Sequence, residues 1–198
     1  MPMSCEFHSF DISLDQASPT AWLPSNIHMH AWDIFEDPPV QFRSFFDIVH
    51  VRLITPVVKT KDPLPVLVNL TKLLKPGGYL QWDEVDMNGG LIKAVPGVST
   101  ENLTTILSRF KLEDAWKHHL TQVMDENGYS MSSLNVYKAG LGMARLWNDV
   151  YVSGWKELAN TILKTPETAY ELEQKGMEEV RNGAAMSFPK LVWVAKKA

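Results

Sequence analysis

Apolar and polar residues alternate along residues 7–12 (Phe-His-Ser-Phe-Asp-Ile). They alternate again along 26–32, where Ile27, Met29 and Ala31 oppose His28, His30 and Trp32. A period of two predicts two strands. Residues 13–24 between them carry Pro19 and Pro24 and read as a loop with a short helix. The second strand runs into 33–36 and is ended by Pro38-Pro39. Residues 46–53 differ in kind: Ile48, Val49 and Val51 form a nearly continuous β-branched run. That pattern predicts a third strand covered on both faces.

The period then changes. Val66, Leu67, Leu70, Leu73 and Leu74 recur at helical spacing after Asp62-Pro63, a pair suited to an N-cap followed by proline in the first turn. Pro76-Gly77-Gly78 stops this helix, and 79–85 reads as the fourth strand. Strand, helix, strand in this order is a β-α-β unit with parallel strands and a right-handed crossover. Residues 46–86 therefore organise the chain.

Downstream, Gly89-Gly90 and Pro96-Gly97 make a loop, and 99–127 reads as one helix or a broken pair. Leu103, Ile106, Leu107 and Phe110 give one stripe; Trp116, Leu120 and Val123 continue it, and Asn127-Gly128 ends it. Residues 129–155 show no clean period: Leu141, Ala144, Arg145 and Trp147 suit a helix, but Gly140, Gly142 and Gly154 interrupt it. Thr165 is placed to cap a last helix, with Ala169, Leu172, Gly176, Met177 and Val180 along it and Asn182-Gly183 at its end. Residues 187–194 form a final strand. No repeat or linker divides the chain, so a single α/β domain over 1–198 is expected.

Composition narrows the function classes. With 198 residues, 45% of them hydrophobic and 21% charged, the chain is an ordinary globular one with enough length for a core. A net charge of −4, with no Lys or Arg cluster beyond a pair, argues against a nucleic-acid partner. The lone Cys5 excludes an internal disulfide and a paired-cysteine metal site, and fits a reducing, cytoplasmic setting. No apolar run approaches the ~20 residues that span a bilayer. The first residues lack a charged segment leading into an apolar one, so neither a membrane nor a secretory signal is expected.

The run Phe46-Asp47-Ile48-Val49-His50-Val51-Arg52, followed by Leu73-Leu74-Lys75-Pro76-Gly77-Gly78-Tyr79-Leu80-Gln81-Trp82, resembles the middle of a class I S-adenosylmethionine-dependent methyltransferase. Its Val-His-Val-Arg and Gly-Tyr-Leu-Gln-Trp details are similar to the fungal branch associated with secondary metabolism. Phe10-Asp11-Ile12-Ser13, Trp22-Leu23-Pro24-Ser25-Asn26-Ile27 and Trp32-Asp33-Ile34-Phe35 match that branch in order and spacing. The resemblance covers roughly residues 7–90, and beyond them only the layout agrees.

The resemblance implies a Rossmann-like sheet with helices on both faces, S-adenosyl-L-methionine as cofactor and a small-molecule, secondary-metabolite-like acceptor. It places Asp11, with Ile12 beside it, where a carboxylate accepts from the cofactor ribose hydroxyls. Asp33 falls where an acidic side chain meets the adenine amino group, with Trp32 or Ile34 against the ring. Arg52 and Leu53 fall beside the methionine part. All end parallel strands, where open α/β sheets bind ligands. Read without the family, Asp11 opens a turn, Asp33 caps one, and Arg52 pairs with Asp83, Glu84 or Asp86.

The sequence departs from the family in one respect. The family's first strand leads into a Gly-x-Gly-x-Gly turn, and this chain contains no such run. In the family's strand order, 3-2-1-4-5-7-6, the missing strand is central. The expectation is thus a partial sheet lacking the first strand and helix. Either its two neighbours pair directly, or residues 1–198 belong to a longer product.

For catalysis His50 and Glu84 are the leading base candidates, with His118, His119 and Asp86 behind them. His50 also reads as a satisfied core histidine, and His118-His119 as a solvent-facing pair. Asp83, Glu84 and Asp86, if close, would repel and raise one pKa; they also read as a solvated rim. No metal is expected, because no histidine at ligand spacing accompanies them. Trp82, Trp116, Trp147 and Trp155 suit either an aromatic acceptor pocket or the core. Three functions follow: methyl transfer, a non-catalytic scaffold working as a homodimer or with a completing partner chain, and an isomerase or cyclase on the same scaffold.

Overall fold

A computed structural model of the chain describes residues 5–58, 62–109, 115–138, 140–159 and 166–198. The first alternating stretches form β1 (Phe7–Asp11) and β2 (Ile27–Ala31), as the period of two predicts. They pair in parallel with each other and, among the described residues, with no other strand, His8 opposite His28 and Asp11 opposite Ala31.

The main sheet is built on the β-α-β unit. β3 (Phe46–Arg52) leads through α1 (Leu64–Leu73) to β4 (Leu74–Val85), and β3 and β4 run parallel. The helix starts one residue after the predicted position, at Leu64, and Asp62 accepts the Leu64 N–H at 2.9 Å. Pro76-Gly77-Gly78 lies inside β4 instead of before it. There the register jumps from Phe46 opposite Leu74 to Ile48 opposite Tyr79, and Gly77 takes φ +76°. A Cβ on Gly78 would meet the Asp47 and Lys75 carbonyl oxygens at 3.1 and 3.0 Å, so the irregularity needs glycine there.

Two antiparallel strands complete this sheet: β8 (Lys190–Lys197) lies against β4, and β6 (Tyr129–Tyr137) lies against β8. The order is β3-β4-β8-β6, with β3 at an edge. The two neighbours of the expected central strand therefore do not pair directly; β1 and β3 belong to separate sheets. β3 also corrects its predicted coverage. Val49 and Val51 are buried, whereas Ile48 (66% exposed), His50 and Arg52 on the opposite face are open.

Segments inserted after β4 and after β6 combine into a second unit. They are β5 (Leu91–Ala94), α2 (Glu101–Arg109), α4 (Leu141–Leu158), α5 (Pro166–Arg181) and β7 (Ala184–Ser187), with β5 and β7 paired antiparallel. Between them lie a 3-10 turn (Ala115–His119) and α3 (Leu120–Glu126), so of the two readings of 99–127 the broken pair is the one found. The predicted last strand is split at Phe188-Pro189 into the end of β7 and β8. Phe110 and the capping residue Thr165 lie outside the described residues.

The described residues form two cores. Val49, Val51, Leu67, Leu70, Leu80, Trp82, Trp116, Leu120 and Trp193 fill the one beneath the main sheet. Leu103, Ile106, Val152, Trp155, Val180 and Met186 fill the other. No described helix is long and apolar enough to cross a membrane.

Candidate functional site

The carboxyl end of the β1–β2 pair carries both predicted cofactor carboxylates. Asp11 is exposed and accepts the Ser13 N–H at 3.3 Å; Asp33 accepts the Phe35 N–H at 2.9 Å. Each thus holds a tight turn through Oδ1, and its Oδ2 has no hydrogen-bond partner among the described residues. For both residues this is the turn role read from the sequence without the family. Trp32 and Ile34 pack against the main core from this loop, and Asn69 of α1 donates to the Ile34 carbonyl at 3.0 Å. Ile12 is 71% exposed.

The ends of β3 and β4 are held by Glu84, which is 1% exposed. Its Oε1 accepts from Ile54 N–H at 3.1 Å and Trp82 Nε1 at 3.0 Å. Its Oε2 accepts from the Thr55 hydroxyl at 2.8 Å and Thr55 N–H at 3.4 Å. The chain reaches this carboxylate by turning at Leu53, whose φ of +58° is left-handed and whose N–H donates to the Asp83 carbonyl at 2.9 Å. A bulky non-glycine residue in that region costs roughly 1–2 kcal/mol. The four bonds into Glu84 hold the turn in that conformation.

Asp83 points to the opposite face, as alternation along β4 requires. It is 2% exposed and receives Lys190 Nζ at 2.8 Å, Gln81 Nε2 at 3.0 Å and His50 Nε2 at 3.2 Å. Burial pushes this carboxyl up, but bonds from Lys190 and Gln81 together with the nearby Lys190 charge outweigh it and leave the group below the usual aspartate range. Asp86 closes a turn by accepting the Gly89 N–H at 2.9 Å. The three carboxylates therefore do not converge, and the expected mutual rise in pKa is corrected: they occupy two faces and a turn. Arg52 is exposed, and its predicted partner Asp83 is bound to Lys190 and His50. His50 is also exposed, which corrects its reading as a core histidine. His118 and His119 both face solvent.

The tryptophans separate in the same way. Trp82 and Trp116 meet at 5.7 Å between rings in one core, Trp155 is buried in the other, and Trp147 is 40% exposed. They do not form one pocket. Thr55, Gln81 and Lys190 were not foreseen as site residues; only the pairing of β4 with β8 brings Lys190 to Asp83. Lys117, 3% exposed, donates to the Val85 carbonyl at 2.8 Å beside the end of β4. Among the described residues no group of three or more His, Cys, Asp or Glu is placed to hold a metal ion.

A cavity of about 480 Å³ lies in the second unit, lined by Ser99, Asn102, Lys175, Glu178, Glu179 and Asn182 among others. Glu179 serves the start of α2: its carboxylate accepts from Ser99 Oγ, Asn102 N–H and Nδ2, and Leu103 N–H at 2.8–3.0 Å. Burial pushes Glu179 up, but the Leu103 and Asn102 bonds prevail and hold it below the usual glutamate range. A depressed carboxyl stabilises the fold above its unfolded value, about 4.3, and that contribution is lost as pH falls through the folded value. Urea midpoints measured from pH 7 to pH 3 are expected to fall below about pH 4.5, and to fall less steeply in Glu179→Gln.

No protein-family model matches the chain. It is 38% identical over 66 residues to the methyltransferase grgD of Penicillium sp., a match covering 33% of this chain and 23% of that protein. It is 32% identical over 128 residues to the methyltransferase str3 of Strobilurus tenacellus, covering 62% and 44% respectively. The chain thus spans less than half the length of these curated relatives. Among solved structures it superposes on the [4+2]-cyclase SpnF with a TM-score of 0.54 at 12% identity, over 98% of this chain and 67% of that one. It superposes on phosphoethanolamine N-methyltransferase 2 of Haemonchus contortus, solved with phosphomonomethylethanolamine and S-adenosylhomocysteine, with a TM-score of 0.52 at 14% identity, over 98% and 44%. The chain is thus similar in sequence, over part of its length, to fungal methyltransferases, and its fold is similar to the Rossmann-like fold of these two solved enzymes.

Proposed function

We propose that the chain belongs to a cytoplasmic enzyme that transfers a methyl group from S-adenosyl-L-methionine to a small-molecule acceptor of secondary-metabolite type. The observation that carries this reading is the pair Asp11 and Asp33. They stand at the carboxyl ends of adjacent parallel strands, in the stretch with the strongest family resemblance. Each has its turn bond on Oδ1 and Oδ2 left to accept from a hydroxyl or an amine. These residues fit a ribose and an adenine amino group; Trp32, Ile34 and Ile12 supply apolar surface beside them, and Arg52 ends the strand on the methionine side. When bound, the cofactor supplies an electrophilic methyl on a sulfonium, and the protein's task is alignment. Glu84, which holds the 53–55 turn, is assigned to positioning. His50, oriented by Asp83, is the side chain left to accept a proton from an acceptor hydroxyl.

Calorimetry of the chain with S-adenosylmethionine tests the reading. Binding is expected, weakened roughly tenfold or more by Asp11→Ala or Asp33→Ala, in line with the ~1.5–3 kcal/mol of a hydrogen bond to a charged group. Absence of heat at high micromolar cofactor would overturn it for this chain.

A second reading has its own support. Among the described residues β1 and β3 each pair along one edge only, so a non-catalytic scaffold, or a subunit whose sheet is completed by another copy or a partner chain, accounts for these two open edges. The SpnF likeness keeps an isomerase or cyclase within the same fold. Sedimentation with and without cofactor separates the subunit reading from the first, since it requires assembly before any cofactor heat appears.

A further inference from the structure

Three imidazoles share one face of the β1–β2 pair. His8 and His28 are directly opposite, with rings 4.8 Å apart; His8 and His30 stack at 5.2 Å, and His8 Nδ1 and His30 Nε2 lie 2.9 Å apart in a hydrogen bond. That bond requires one nitrogen to carry a proton and the other to be bare. The same face carries the ring packing of the strands themselves on the rest of the protein, beside the attachment of the following loop through Trp32 and Ile34. No ladder connects β1 to β3; instead His8 packs edge-on against Phe42, Phe45 and Phe46 at 5.3–5.5 Å. His30 meets Phe42 at 4.7 Å, and Phe10 meets Phe42 and Phe46 at 5.1 and 5.9 Å.

The charges around the cluster do little to support cations. Glu6, on β1's own approach, pairs with His28 at 2.9 Å but is 61% exposed. From the packed elements, Asp37 pairs with Arg43 and with Lys72 of α1, and Asp47 pairs with Lys75. Neither carboxylate is bonded to an imidazole. Burial first, then the neighbouring histidines, hold His8 below the ordinary histidine range, and burial and His28 do the same for His30.

We propose that the β1–β2 pair is a pH-sensitive module, seated on the Phe42–Phe45–Phe46 cluster by neutral imidazoles and released when they take up protons. Two consequences of protonation act together. The His8–His30 bond loses its acceptor, and like charges gather where rings pack on rings. The released form binds protons more readily than the seated form. Seating is therefore favoured above about pH 6.5 and is lost progressively as pH falls through that value toward the lower seated ones. Asp11 and Asp33 end these strands, so release also dismantles the proposed cofactor site. That consequence rests on the function proposed above, whereas the release itself does not.

Hydrogen exchange on the cofactor-free chain at pH 7.5 and pH 5.0, corrected for intrinsic amide rates, tests the module. Protection over 7–11 and 27–31 is expected to fall by about tenfold or more, with 79–85 and 190–197 nearly unchanged. His8→Phe with His30→Phe keeps the rings without the charge and is expected to abolish the difference. In the unaltered chain, NMR titration of the His8 and His30 rings is expected to share its midpoint with the loss of protection, which decides the matter even if the double variant does not fold. Protection that is constant over this range, or that falls equally across both sheets, overturns the proposal.

Discussion

Replacing Glu84 with alanine is expected to lower the unfolding free energy by about 3–5 kcal/mol, the cost of stranding partners of a buried charged group. Four donors converge on that carboxylate, from Ile54, Thr55 (twice) and Trp82. Alanine leaves the Trp82 indole N–H facing a void in the main core, and of the bonds that hold the left-handed turn at Leu53 only its own N–H to the Asp83 carbonyl is left. Glu84→Gln separates charge from connectivity. An amide oxygen toward Trp82 and Ile54 keeps two bonds, and the Thr55 hydroxyl turns to accept from the amide nitrogen; only the long Thr55 N–H contact is lost. A cost of about 1 kcal/mol is expected. Urea unfolding of both variants measures this. If Glu84→Ala were within about 1 kcal/mol of the unaltered chain, Glu84 would not be holding the turn.

The second large effect concerns Asn148, which is fully buried on α4. Its side chain does the work of a neighbouring strand: Nδ2 donates to the Met186 carbonyl at 2.8 Å and Oδ1 accepts the Met186 N–H at 2.7 Å, while Nδ2 also reaches the Ala144 carbonyl. β7 has β5 on one side and this amide on the other. Asn148→Leu keeps the branched skeleton but strands a buried backbone N–H and C=O together, so a loss of about 2–4 kcal/mol is expected. Met186 belongs to the second core. The loss should therefore appear first as reduced exchange protection over 91–94 and 184–187, with the main sheet retained.

These two residues mark how far a linear reading reaches. The β-α-β unit was legible because its signals are local: a β-branched run, apolar residues at helical spacing after Asp62-Pro63, and a glycine pair. Even there, Pro76-Gly77-Gly78 reads as a stop when it is an irregularity within β4, since a glycine's φ looks alike in both settings until the partner strand is known. The second unit was legible in its helices α2 and α5 but not in its strands. β5 and β7, like β6 of the main sheet, are strands because of what they pair with, and Asn148 looks like a surface residue between Gly142 and Gly154 until Met186 lies against it.

The candidate site divides likewise. The turn roles of Asp11 and Asp33 were recognisable because a strand's end and the turn after it are set by a few adjacent residues. The carboxylates near the end of β4 were misjudged as one group because three positions within four residues look like a cluster in sequence. A strand's alternation sends Asp83 to one face and Glu84 to the other, and tertiary partners then give them unrelated tasks: Lys190, Gln81 and His50 for Asp83, Thr55 and Trp82 for Glu84. The sequence by itself determined the first four strands, the crossover helix and the family resemblance, because period and turn chemistry act within a dozen residues. The tertiary structure alone decided which edges stay open, which carboxylates are consumed by structure, and that three histidines meet on the aromatic seat of β1–β2. Each of those depends on partners from distant parts of the chain.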